Sequence, residues 1–111
     1  MRIGWSILGL MVLLPLAVMA AVQVGGEKEM KLEGGSLGKV YFTHHIHQRV
    51  LGDCNSCHNL FSQTPGAIEI LKVDKKLLAK QVMNRCRDCH KERAQAGEKS
   101  GPTACRDCHK K

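Results

Sequence analysis

The stretch Cys86-Arg-Asp-Cys89-His90 holds two cysteines three apart, with a histidine directly after the second. The same spacing recurs at Cys54-Asn-Ser-Cys57-His58 and at Cys105-Arg-Asp-Cys108-His109. Together the three copies use all 6 Cys of the 111-residue chain. On a helical turn, positions i, i+3 and i+4 share one face. Two thiols placed this way can each form a thioether to one vinyl group of a haem, and the next imidazole reaches the iron from the same side. Cys-x-x-Cys-His is the attachment signature of haem c. The expectation is three covalently attached haems c, bound through Cys54, Cys57, Cys86, Cys89, Cys105 and Cys108. His58, His90 and His109 are the expected proximal iron ligands.

Other uses of six cysteines fit less well. Three disulfides would leave the three following histidines without a purpose. Zinc takes four ligands, so one closed thiolate site would strand two cysteines or recruit histidine. Thioredoxin-type Cys-x-x-Cys motifs occur singly beside a βαβ pattern, and nothing here reads as βαβ.

Composition asks for the same kind of staple. Aromatic residues are 4% of the chain, namely Trp5, Tyr41, Phe42 and Phe61. So short a chain, with so few large apolar side chains, cannot build a core adequate for independent stability without a disulfide, a metal or a bound group. That excludes a Rossmann domain, a barrel enzyme and any multidomain reading. The haems themselves are expected to form most of the core.

Residues 1–20 begin with Arg2, continue through an apolar run from Ile7 to Val18, and end Val18-Met19-Ala20. This is the pattern of a secretory signal peptide. Cleavage after Ala20 leaves Ala21 to Lys111. The competing reading is an uncleaved anchor, because no charge falls between Arg2 and Glu27, a stretch long enough to cross a bilayer. Pro15 and the Ala20-Ala21 pair favour cleavage. In either case the cysteine-bearing part lies outside the cytoplasm, and a periplasmic location is expected.

Along the mature chain, 21–38 is Gly-rich and reads as an N-terminal linker or hairpin, and 39–111 as the haem-bearing domain. Met30-Lys31-Leu32 and Lys39-Val40-Tyr41-Phe42 flank Gly34 to Gly38, which predicts a two-stranded β-hairpin. Residues 43–58 carry a histidine cluster and the first motif on short helical pieces. Thr64-Pro65-Gly66 marks a loop. Asp74 is placed to N-cap a helix through Lys75–Met83, with Leu78 and Val82 on one face. A Gly/Pro loop over 97–103 precedes the third motif. The fold class expected is a small haem-dominated domain of short α-helices and loops with an N-terminal hairpin.

Three further histidines remain, His44, His45 and His47. Counting alone gives six histidines for six axial positions. Adjacent residues such as His44 and His45 point in different directions, and three haems do not easily converge on one four-residue stretch. His44 and His47 are three apart and suit two neighbouring haems.

The run Val40-Tyr41-Phe42-Thr43-His44-His45-Ile46-His47-Gln48, followed by the first Cys-x-x-Cys-His, resembles the class III multihaem cytochromes c, in particular the small triheme c7 type. The resemblance spans roughly Met30 to Lys111. It implies that His44 caps the haem on Cys54/Cys57 and that His47 caps the haem on Cys86/Cys89. That family usually places a third distal histidine a few residues before the second motif. This chain has Gln81-Val82-Met83-Asn84-Arg85 there. Met83 is the obvious substitute, because a thioether is an accepted axial ligand. The alternatives are that Met83 only packs in a helix, that His45 serves instead, or that the site holds water or lysine or stays open.

Charge is uneven. Residues 72–111 hold 12 Lys/Arg against 5 Asp/Glu, whereas 21–71 hold 4 against 5. A basic segment raises nucleic acid or an anionic membrane as partners. Yet 72–111 has no Phe, Tyr or Trp to stack on bases. Three haems would bring six propionates to pair with these cations. The lysines are read as propionate partners and as a surface for acidic redox proteins, with no nucleic acid and no oligomer expected. The function implied is electron transfer, since an iron with both axial positions filled has nowhere to bind substrate. The rivals are a small reductase with one open haem and a wiring subunit of a larger complex.

Overall fold

The computed structural model describes residues 25–111, so the signal-peptide expectation lies outside the described residues. Strand β1 (Met30–Leu32) pairs antiparallel with β2 (Lys39–Phe42), placing Met30 opposite Phe42 and Leu32 opposite Val40. A 3₁₀ turn at Gly35–Leu37 joins them. The expected hairpin is present, but it is part of a three-stranded sheet. Strand β3 (His109–Lys110) adds to β2, with His109 opposite Val40. A two-residue strand that begins on the motif's own histidine carries no alternation from which it can be read. The pairing pins the last motif to the N-terminal sheet.

Helix α1 (His44–Leu51) carries the histidine cluster. It stops at Gly52, whose left-handed φ of 64° returns an N–H to Gln48 O. Helix α2 (Asn55–His58) is one turn around the first motif, and Asp53 accepts the Asn55 N–H at 2.9 Å. After the loop at 64–66 comes α3 (Ala67–Val73).

The helix expected over Lys75–Met83 does not form. Asp74 instead ends α3, donating its N–H to Ile70 O. Lys75 and Lys80 both adopt left-handed φ, 56° and 66°. The chain folds back between them so that Lys76 and Leu77 donate their N–H groups to Leu71 O. Leu77, not Leu78, goes inside: Leu77 is 5% exposed and Leu78 73%. The long helix starts only at Gln81, whose side-chain oxygen accepts the Leu78 N–H. This helix, α4 (Gln81–Gln95), contains Val82, Met83 and the second motif. Helix α5 (Cys105–Cys108) holds the third.

Among the described residues the buried apolar side chains are Ala67 and Leu77 alone. The polypeptide's own side chains therefore make very little core. No helix of the described residues is long and apolar enough to cross a membrane.

Candidate haem-binding site

The first motif sits on the turn of α2 and the second in the middle of α4, whereas in the third only the cysteines are helical, on α5, and His109 has already turned into the extended backbone of β3, so the helical spacing expected of the histidine does not hold there. The second cysteine of each pair is half-buried. Loss of water around the Cys86 thiol pushes it up to about 11, and nearby Cys57, Cys108 and Cys89 add to the rise. Burial also raises Cys57 and Cys108, the former with help from Cys89, the latter from Asp107. Before attachment these groups are thiols at neutral pH. After attachment they are thioethers and carry no proton.

The histidines come together in two facing pairs. His44 and His58 have ring centres 6.3 Å apart with their planes at 80°. His47 and His90 have ring centres 6.1 Å apart with their planes at 28°. An imidazole nitrogen binds a first-row metal at about 2 Å, so two rings across one ion have centres roughly 6 Å apart. Phe42 packs against the distal members of both pairs, 6.0 Å from His44 and 4.4 Å from His47. Among the described residues no ring faces His109 in this way. The structure thus brings His44 to His58 and His47 to His90, and it puts Met83 in the first turn of α4, half-buried.

Every histidine uses its Nδ1 on a backbone carbonyl. His44 donates to Glu27 O at 2.8 Å, His45 to Lys28 O at 2.9 Å and His47 to Thr43 O at 2.9 Å. His58 donates to Phe61 O at 3.1 Å, His90 to Pro102 O at 2.6 Å and His109 to Gly38 O at 3.0 Å. This bond fixes the tautomer, leaves the Nε2 lone pair free for a metal, and raises the basicity of the ligand. Two glycines make room for the rings. A Cβ on Gly101 would collide with the His90 ring, and one on Gly34 with the His109 ring. Paired thiols beside tautomer-fixed imidazoles are the donor set that haem c requires, so the residues present fit the group.

The comparisons supply the family. A family model described as cytochrome c7 and related cytochrome c matches residues 40–110. The chain belongs to that family. It is a multihaem c-type cytochrome, and haem c is its cofactor. Three solved structures are similar, each described as a cytochrome c7 from Geobacter sulfurreducens. PpcE shares 29% identity over 75% of this chain and 97% of its own, with a TM-score of 0.52. PpcB shares 32% over 77% and 100%, also at 0.52. PpcC shares 31% over 77% and 99%, at 0.50. The comparison with curated proteins returns no match. Family and fold together make this cytochrome c7 an electron carrier.

Reading the sequence alone missed the groups that hold the ligands. The acceptors on Glu27, Lys28, Phe61, Pro102 and Gly38 are backbone carbonyls. Any residue type supplies one, so no side chain announces them. Gly34 and Gly101 were visible as glycines but not as neighbours of imidazoles.

Proposed function

We propose that this cytochrome c7 is a periplasmic carrier with three haems, passing electrons from membrane donors to terminal or extracellular acceptors through acidic redox proteins. The observation that carries the reading is the two pairs of facing imidazoles, all four with Nδ1 already committed to a carbonyl. When bound, each haem supplies a one-electron iron couple. The chain's residues hold and saturate it. His44 and His58 would hold the haem on Cys54/Cys57. His47 and His90 would hold the haem on Cys86/Cys89. His109 and Met83 would hold the haem on Cys105/Cys108. With every iron held by two protein ligands, none would be left open to a substrate. The 12 Lys/Arg of 72–111 provide the cationic surface for acidic partners. The protein works as a monomer, released when the signal peptide over 1–20 is removed.

Methionine ligation raises a haem potential relative to bis-histidine. A potentiometric titration followed by absorbance should therefore show one component well above the other two. Met83→Leu should abolish the high component and let the reduced protein bind CO. Three similar low potentials in the wild type would remove Met83 as a ligand. His45 is the other candidate for that position, since its Nδ1 is committed in the same way as those of the proposed ligands. Carbon monoxide binding to the wild-type protein would bring forward a reductase with an open iron.

A further inference from the structure

Two arginines flank Cys86, and each reaches toward a different haem motif. Arg85 donates from Nε and Nη2 to the same acceptor, Ser56 O, at 3.1 and 2.8 Å. Ser56 lies between the two cysteines of the first motif. Arg87 donates from Nε to Thr103 O at 3.1 Å, two residues before Cys105 of the third motif. Both arginines stand on α4, and Arg87 is itself inside the second motif.

We propose that Arg85 and Arg87 are positioning residues, which fasten the first and third haem-attachment loops to the helix carrying the second. The inference rests on the three-haem reading above. The geometry is specific. A guanidinium is a planar, permanently charged fork, and its bonds to a carbonyl are charge-assisted. Two of its N–H groups on one carbonyl fix an angle as well as a distance. The sequence separation is 29 residues for Arg85 and 16 for Arg87, so each bond ties elements that the chain does not hold together locally. The third loop has further ties, through His90 Nδ1 to Pro102 O, His109 Nδ1 to Gly38 O and the β2–β3 pairing. The first loop has no such strand, which makes Arg85 the more consequential of the two. What they set is how neighbouring haems face each other, and hence how strongly they couple.

The test uses the mature holoprotein with Arg85→Lys, Arg85→Gln and Arg87→Lys. Lysine keeps the charge and most of the length but cannot make the fork, so Arg85→Lys spares folding and carries the test. The readouts are haem-methyl shifts and interhaem contacts by paramagnetic NMR, with potentials alongside. Arg85→Lys should change contacts between the first and second haems and leave those between the second and third as in the wild type. Arg87→Lys should do the reverse. Arg85→Gln should also shift the first two potentials downward, through loss of a positive charge that favours the reduced iron. Lysine variants indistinguishable from the wild type, or changes spread equally over all three haems, would overturn the proposal. Failure of the three-haem reading would appear separately, as a wild-type haem-to-protein ratio below three.

Discussion

Replacing His44 by alanine should convert one haem, and only one, to high spin. The His44 ring faces His58 at 6.3 Å, while His47 faces a different ring, that of His90, at 6.1 Å. Removing His44 therefore strips the sixth ligand from the haem on Cys54/Cys57 and from no other. That haem stays in place, because two thioethers and His58 still hold it. With three attachment motifs in the chain, about a third of the ferric iron should move from low to high spin. His47→Ala should convert a different third, that of the haem on Cys86/Cys89. His45→Ala should convert none, since its ring faces no other imidazole among the described residues. Low-temperature EPR of the three oxidised variants, integrated against total haem, measures each fraction. The reasoning fails if His44→Ala remains fully low spin. It fails equally if His45→Ala yields a high-spin third.

Gly101→Ala would press a methyl against the His90 ring, and should disturb the spectrum of the second haem while sparing the first; NMR of the haem methyls checks this. Leu77→Ala should cost about 2–5 kcal/mol in a denaturant melt of the holoprotein, the usual range for truncating a buried leucine, because Leu77 is one of the two buried apolar side chains described. The denatured holoprotein should show no thiol to Ellman's reagent, and the unattached chain all 6.

The sequence and the structure agree most closely where chemistry demands particular side chains at a particular spacing. The three motifs, the Phe42-x-His44-x-x-His47 run and the strands about Gly34–Gly38 were all legible for that reason. Legibility failed where backbone conformation decides the outcome. Asp74 before a run of lysines and leucines looks like a helix start, yet left-handed Lys75 and Lys80 turn the chain back and delay the helix to Gln81. Swapping Leu78 for Leu77 as the buried residue follows from that same turn. Strand β3 is too short for any pattern and exists because β2 offers it an edge. The outer shell of carbonyls is silent in sequence, since a main-chain oxygen is common to every residue. Arg85 and Arg87 were in plain view on either side of Cys86, but their acceptors, Ser56 O and Thr103 O, emerge only from the fold.

The most direct test of the account is the intact mass of the denatured mature protein. Thioether-bound haem survives denaturation, so the mass should equal that of residues 21–111 plus three haems, with no species carrying fewer. A mass showing two haems or none, or one lowered only by the hydrogens lost to disulfides, would contradict the claim that these six cysteines exist to hold haem.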